Sequence, residues 1–324
     1  MNPMQEPVDR PASATVTVVV PTYNGSALIG HTLDSLLAQS YPHLEVIVVD
    51  DGSADDTVAV ASAHHVGARV ITQRNHGVAV ARNRGLAAAS GEWVAFIDQD
   101  DLWHSGRVQT LIGLAGKTGA EAVATTESRF ARTADREALK RVGDGRDSWP
   151  TIWIDEGEEA ELVTAPIHGV TGEVSELTLD RLLEGAAMLT TTVMYKRELA
   201  ISAGGCAPHA RALDDHVLNV NVARIAGAIP RIDSGELLYR VHPSSTSTVS
   251  PMAGPFLSTQ AAIRLGGVFP REVRGGPNVD HLLYGLAKSD LTVSEQLALL
   301  VLSTGRRTRA RWLLRWLTRR TGVR

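Results

Sequence analysis

Cysteine is almost missing from this chain. Cys206 stands alone among 324 residues, so no internal disulfide can form and no cysteine-rich zinc site can be built. A single thiol suits a reducing compartment, and a cytoplasmic location is expected. Long apolar runs are missing too. The longest, Thr15–Val20 and Leu297–Leu302, are the size of a core strand and a core helix. Neither nears the ~18 apolar residues that cross a bilayer. Charge is nearly balanced at −4, so no whole-molecule basic field points to nucleic acid, which is not an expected partner. No G-x-G-x-x-G follows a strand, which disfavours a dinucleotide dehydrogenase. No internal repeat and no long low-complexity segment occurs. Residues 1–14 hold three prolines and no apolar run; a disordered lead-in is expected there, not a signal peptide. What remains is ordinary globular composition, 44% apolar and 21% charged, enough to bury a sizeable core in one large domain or two small ones.

The most informative stretch is Val94-Ala-Phe-Ile-Asp-Gln-Asp-Asp-Leu-Trp103. Val94–Ile97 reads as the end of a buried strand. Asp98, Asp100 and Asp101 follow at once. Open α/β sheets bind ligands at the carboxyl ends of their strands. Carboxylates this close repel one another unless a cation sits between them. Hard oxygen ligands suit Mg²⁺ or Mn²⁺, and those ions suit a diphosphate. The plainer alternative is a solvated acidic turn, with Asp101 near a helix N-cap.

The neighbouring segments favour the ligand site. Thr15–Val20 is a β-branched strand stopped by Pro21. Leu28, Ile29, Leu33, Leu36 and Leu37 recur at a helical period over 27–39. Leu44–Val49 is a second strand, closed by Asp50-Asp-Gly-Ser53. Asp55 or Asp56 can cap the helix that follows. Ala68–Thr72, Trp93–Ile97 and Ala120–Thr126 are further strands, with helices at Val78–Ala89 and near Arg107–Ala115 between them. Such alternation predicts a mostly parallel sheet flanked by helices. Right-handed crossovers bring Pro21–Asn24, Asp50–Asp55 and Asp98–Asp101 to one crevice. Residues 127–185 show weak periodicity and suggest loops or a lid. Beyond them, Met188–Tyr195 and Leu237–Val241 read as strands and Arg197–Ala203 and Asp214–Ala226 as helices; Thr292-Val-Ser-Glu295 resembles a capping box.

Single residues allow two readings each. Tyr23 stacks on a base or packs over the sheet edge. Asp51 accepts a base N–H or only fixes its Asp-Gly turn. Arg82 pairs with a phosphate, pairs with one of the clustered acids, or lies exposed on its helix.

Taken together, Pro21-Thr-Tyr-Asn24, Asp50-Asp-Gly-Ser-x-Asp55, Asn75-x-Gly-x-x-x-Ala-Arg-Asn-x-Gly85 and Asp98-x-Asp-Asp101 resemble glycosyltransferase family 2, inverting enzymes of GT-A fold. The likeness is strong over 16–118 and looser over 186–248. It implies a GT-A type, Rossmann-like sheet flanked by helices, with a helical C-terminal extension. By the same resemblance, Pro21, Tyr23, Asn24, Asp51, Arg82, Asp98 and Asp101 would bind the nucleotide-sugar. Tyr23 would lie by the base, Asp51 at the base edge and Asp101 by the donor sugar. Asp98 and Asp100 match the D-x-D element of ribose and Mn²⁺ or Mg²⁺. Leu213-Asp-Asp-His216 resembles the family's Glu-Asp element, which makes Asp215 the catalytic base, with Asp214 the alternative because the pair here is Asp-Asp. Tyr239-Arg-Val-His242, with Ser247 following, resembles a Y-R-x-H-x-x-x-x-S element, and His242 would reach the metal or the diphosphate.

The reaction implied is transfer of a sugar from a nucleotide-diphosphate donor, a UDP-sugar favoured, to a hydroxyl of a glycan, lipid-linked or small-molecule acceptor. Rival readings are a sugar-nucleotide nucleotidyltransferase and a non-catalytic nucleotide-sugar-binding partner subunit. The nucleotidyltransferase usually carries a Gly-rich basic loop where this chain has Pro21–Asn24. Residues 15–126 are expected to form the nucleotide-sugar half and 127–250 the acceptor-binding and catalytic half of one domain. Residues 251–324 would be a helical C-terminal region. Within it, 305–320 is basic and amphipathic: Trp312, Leu313, Trp316 and Leu317 share one side of a helix and Arg311, Arg315 and Arg319 the other. That pattern suits the anionic inner surface of a membrane, a helix docked on the catalytic domain, or a dimer contact.

Overall fold

A computed structural model describes residues 14–142, 150–184, 189–207 and 214–243. In chain order the elements are β1 (Val16–Thr22), α1 (Ile29–Leu37), β2 (Leu44–Asp50), α2 (Thr57–Ala63), β3 (Arg69–Thr72), α3 (Val78–Ala88), β4 (Trp93–Phe96), β5 (Leu102–Trp103) and α4 (Arg107–Thr118). Then come β6 (Ala122–Arg132), α5 (Arg136–Val142), β7 (Thr151–Ile154), α6 (Glu159–Thr164), β8 (Val174–Leu177), α7 (Leu179–Glu184), β9 (Val193–Lys196), α8 (Arg197–Ser202), α9 (Asp214–Ala226) and β10 (Ile229–Arg240).

All ten strands join one sheet in the order β3-β2-β1-β4-β9-β6-β10-β5, with β7 on β6 and β8 on β10. β3, β2, β1 and β4 run parallel. Every residue of β1 is buried, as expected of a central parallel strand covered on both faces. Its side chains alternate between two cores. Val19 joins Ile47, Val49 and Phe96 on the face covered by α3, α8 and α9. Val16, Val18 and Val20 join Ile29, Leu33, Leu36 and Leu111 on the face covered by α1 and α4. α3 lies so close to β1 that a Cβ on Gly85 would stand 2.2 Å from Val19 Cγ1, so only glycine fits at that crossing.

The alternation read from the sequence therefore produces the expected flanked sheet. β9 lies between β4 and β6, antiparallel to both. Residues 127–185 are not chiefly loop or lid: β6 runs on to Arg132, and α5, β7, α6, β8 and α7 follow. Their elements are short, four to seven residues after β6, too brief to show a period. β10 also begins eight residues before the expected Leu237, at Ile229, because Pro230 and the polar Arg231–Gly235 segment mask its pattern. Ser247, the capping box at Thr292 and the basic segment 305–320 lie outside the described residues.

Candidate active site

Three loops meet at the carboxyl edge of β1, β2 and β4, and backbone hydrogen bonds weld them together. The Asn24 N–H donates to Ser53 Oγ at 2.8 Å, and the Ala54 N–H to Asn24 Oδ1 at 2.8 Å. Ser26 N–H donates to Asp55 Oδ2 at 3.1 Å. Asn24 takes a positive φ of 48°, which an Asn tolerates and which turns the chain back over β2. Gln99, the middle residue of the D-x-D, clamps the first loop: its Oε1 accepts from Thr22 Oγ1 and Tyr23 N, and its Nε2 donates to Tyr23 O. Pro21 is buried in β1, whereas Tyr23 stands 47% exposed at the crevice mouth.

Asp51 is buried, and its carboxylate holds the loop before α3. Oδ1 accepts from Gln73 Nε2 at 2.8 Å and from His76 N at 2.9 Å; Oδ2 accepts from Gly77 N at 2.7 Å. So Asp51 does more than shape its own Asp-Gly turn, which Asp50 already braces through Gly52 N and Ser53 N.

Arg82 is the hub of the site. It is 5% exposed, in mid-helix on α3, and it is not the exposed helix arginine the sequence allowed. Nη2 donates to Asp98 Oδ1 at 2.7 Å, and Nη1 to Asp214 Oδ2 at 3.0 Å, with Asp215 Oδ2 at 3.9 Å. One guanidinium thus ties the end of β4 to the start of α9, which is 132 residues away. Here is a cation among the clustered acids. Burial pushes the Asp214 carboxyl up to about 6, against the lowering pull of Arg82 and with Asp215 and Asp98 adding to the rise. Asp215 is more open, with 21% of its side chain exposed, and its Oδ1 accepts its neighbour's N–H from His216 at 2.8 Å. His216 is buried on the inner side of α9, and burial lowers its imidazole. Asn83 of α3 bonds both the carbonyl and the N–H of Cys206, in the chain between α8 and α9, at 2.8 Å. Cys206 itself is buried with its thiol pushed up by burial, a core residue and no nucleophile.

A second cluster adjoins the first. His242 Nε2 and Asp100 Oδ2 are 3.0 Å apart, and both side chains keep some exposure. Asp101 faces inward at 1% exposure. Its Oδ1 accepts from Arg240 N at 3.0 Å, Oδ2 has no hydrogen-bond partner among the described residues, and burial, with the charges of Asp100 and Asp98, raises its pKa well above the usual carboxylate range. Arg240 Nε donates to the Asp100 carbonyl at 2.8 Å, and Nη1 to Glu159 Oε1 at 3.2 Å. Glu159 also accepts from Arg132 Nη2 at 2.8 Å and Nε at 3.1 Å. Among the described residues no group of three His, Cys, Asp or Glu stands close enough to hold a metal alone.

So the structure brings Arg82, Asp98, Asp214 and Asp215 into one cluster and Asp100, Asp101 and His242 into another, with Tyr23, Asn24 and Asp51 on the adjoining loops. Gln99, Gln73 and Glu159 are not picked out by the sequence, and Asn83 and Arg240 stand in its motifs without a role. Gln99 had a signal, since it lies between two of the key acids. Glu159 had none, as it sits within a run of surface-like acids.

The fold defines an α/β sheet of GT-A architecture. Residues 17–165 match the model of glycosyl transferase family 2, and the chain carries a domain of that family. The amylovoran biosynthesis glycosyltransferase AmsB of Erwinia amylovora is 41% identical over 104 residues, 30% of this chain and 35% of that protein. The chain covers about a third of the length of three curated relatives that it matches, 30% to 39%. Among solved structures, residues 1–349 of S. aureus TarS align with a TM-score of 0.59 at 18% identity over 89% of this chain and 78% of that one. The mannosyltransferase PcManGT of Pyrobaculum calidifontis aligns with a TM-score of 0.54 at 21% identity, over 94% of this chain and 75% of that one. Both share the fold.

Two predictions follow from these ion networks. Arg82→Met leaves Asp98 and Asp214 without their buried cation and should cost ~3–5 kcal/mol of stability by urea unfolding; a cost below about 1 kcal/mol would show that the network holds nothing together. Glu159 behaves in the opposite sense to Asp214. Burial alone would raise its pKa, but the hydrogen bonds of Arg132 and Arg240 hold it at about 2 against an ordinary 4.5. The folded state therefore binds this proton less tightly than the unfolded chain. The stabilisation is present above pH 4.5, is lost as pH falls towards 2, and amounts to about 3 kcal/mol. The stability gap between wild type and Glu159→Gln should shrink as pH drops from about 5 to about 3.

Proposed function

We propose that this chain is an inverting glycosyltransferase that moves a sugar from a nucleotide-diphosphate donor to an acceptor hydroxyl. One observation carries the reading: the buried guanidinium of Arg82 joins Asp98 of the D-x-D to the Asp214-Asp215 pair. A donor held at the end of β4 then has an open carboxylate beside it. The ligands of the fold neighbours support the donor class. TarS was solved with UDP and with UDP-GlcNAc, and PcManGT with GDP-Man and Mn²⁺.

In this reading the base lies against exposed Tyr23. Asp51 Oδ2, which accepts from Gly77 N, keeps acceptor capacity for a base N–H. Asp98, already paired with Arg82, is placed for the ribose more readily than for a metal. Asp100 and His242 fit a divalent cation: a hard oxygen and an imidazole 3.0 Å apart, leaving further positions to diphosphate oxygens and water. Mn²⁺ or Mg²⁺ bound there would supply charge neutralisation for the leaving diphosphate. Asp215 takes the proton from the acceptor hydroxyl. Asp214 is the poorer base, because it is buried and committed to Arg82. Asp101, facing inward, braces the turn beneath the donor sugar. A single in-line displacement inverts the anomeric carbon and needs no covalent intermediate.

The acceptor is a glycan, a lipid-linked carrier or a small molecule. Residues 15–126 would serve the donor and 127–250 the acceptor. No helix among the described residues is long and apolar enough to cross a membrane. The segment 305–320 is proposed to rest on an anionic membrane surface at the cytoplasmic side. Full-length protein should then pellet with anionic vesicles but not neutral ones, and equal recovery with both would remove the membrane from the scheme.

The test of catalysis starts with thermal shifts for UDP, GDP, dTDP and their sugar conjugates, each with and without Mn²⁺. Stabilisation that needs both nucleotide and metal, and disappears in Asp100→Ala, is expected. With the donor so identified, Asp215→Asn should keep donor binding and lower turnover by ~10²–10⁴. Undiminished turnover in that variant would sink the assignment of the base, and pyrophosphate release from a nucleoside triphosphate would point to a nucleotidyltransferase instead.

A further inference from the structure

We propose that Glu159, from the first turn of α6, is a positioning residue for the metal-binding pair Asp100 and His242. The inference rests on the metal site proposed above. Glu159 lies in a segment with no recognisable motif, yet it is 3% exposed and holds two arginines at once. Such a carboxylate is costly to bury unless its partners fix it.

Its reach to the site runs through Arg240. That guanidinium is pinned at both ends: Nη1 on Glu159 at 3.2 Å and Nε on the Asp100 carbonyl at 2.8 Å. The guanidinium also lies 4.6 Å over the Phe130 ring, which leaves it one plane to occupy. The Arg240 backbone N–H meanwhile donates to Asp101 Oδ1 at 3.0 Å. β10 stays extended past its last residue, since the Val241 N–H donates to the Phe130 carbonyl at 2.8 Å. Residues two apart on an extended strand share a face, so Arg240 and His242 both meet the 100–101 turn. Arg240 grips its backbone and His242 its side chain. Arg132 bonds the same oxygen, Oε1, and helps to offset the charge of the buried carboxylate.

Take the carboxylate charge from Glu159 and Arg240 keeps its own charge but loses its anchor. The nearest other anions are the acids of the D-x-D turn. A guanidinium moving towards Asp100 would compete with a divalent cation for the same oxygens. Glu159 thus acts on metal affinity by holding Arg240 on a carbonyl and off a carboxylate. Partners of this kind change metal affinity by ~10–100-fold.

The experiment is a titration of Mn²⁺ into the full chain, with free Mn²⁺ read by electron paramagnetic resonance, in the presence of UDP and, in a second arm, GDP. Glu159→Gln should weaken Mn²⁺ binding by ~10-fold or more, while the nucleotide's own affinity without metal stays within about twofold. Glu159→Asp, which keeps the charge, should recover part of the loss, and it stands in if the Gln variant does not fold. Arg132→Gln, which leaves the Glu159–Arg240 bond in place, should lose stability but little Mn²⁺ affinity. Mn²⁺ affinity equal to wild type in folded Glu159→Gln, or in Glu159→Asp where the Gln variant does not fold, would overturn the inference and leave the proposed metal site standing. No Mn²⁺ binding by wild type with either nucleotide would overturn both.

Discussion

Everything at the sheet edge depends on one buried cation. Arg82 comes from a helix that is otherwise small and apolar, and its guanidinium is shared by carboxylates from β4 and α9. Without a cation, Asp98, Asp214 and Asp215 could not stay so close at neutral pH. With it, their repulsion becomes a clamp. The clamp fixes the distance between the end of β4 and the helix that carries Asp214 and Asp215. Glycine at position 85, one helical turn on, lets α3 press onto β1 and keeps Arg82 at its depth.

A second network repeats this logic on the other side of the D-x-D turn, with the charges reversed. There one carboxylate, Glu159, is shared by two arginines. The turn at 98–101 is therefore gripped twice: by Arg82 through a side chain, and by Arg240 through its backbone and Asp101. Asp100, between the two grips, keeps its side chain at the rim beside His242. A rigid turn with one rim-facing acid is a physical way to offer an oxygen ligand without letting the neighbouring acids collapse onto it.

Much of this was legible in the sequence. β-Branched runs ending in Pro21, Asp50 and Asp98 gave the parallel strands and their common edge, because a buried parallel strand leaves an unmistakable apolar run. The asparagine, aspartate and glycine turns gave the loops. β9 was harder to place. Its residues read as a strand, but nothing local says that a strand from position 193 inserts between β4 and β6. Residues 127–185 hid their structure for a different reason: four-to-seven-residue elements are shorter than the period that would reveal them. Glu159 was invisible because burial, not residue type, separates it from the acids beside it. Ion pairs across 81 or 132 residues have no local signature at all.

The insertion of β9 also bears on how the chain acquires this edge. While residues up to about 190 leave the ribosome, β4 has only β1 beside it and shows an open hydrogen-bonding edge on its other side. Unpaired edges invite other strands. β9 closes that gap, and the chain beyond it delivers α9, whose Asp214 and Asp215 join Asp98 around Arg82. The stretch that matches the family, 17–165, is thus a unit of ancestry and not a unit of folding: cut at its boundary, it would expose a raw sheet edge and leave Arg82 with Asp98 alone of its three carboxylates.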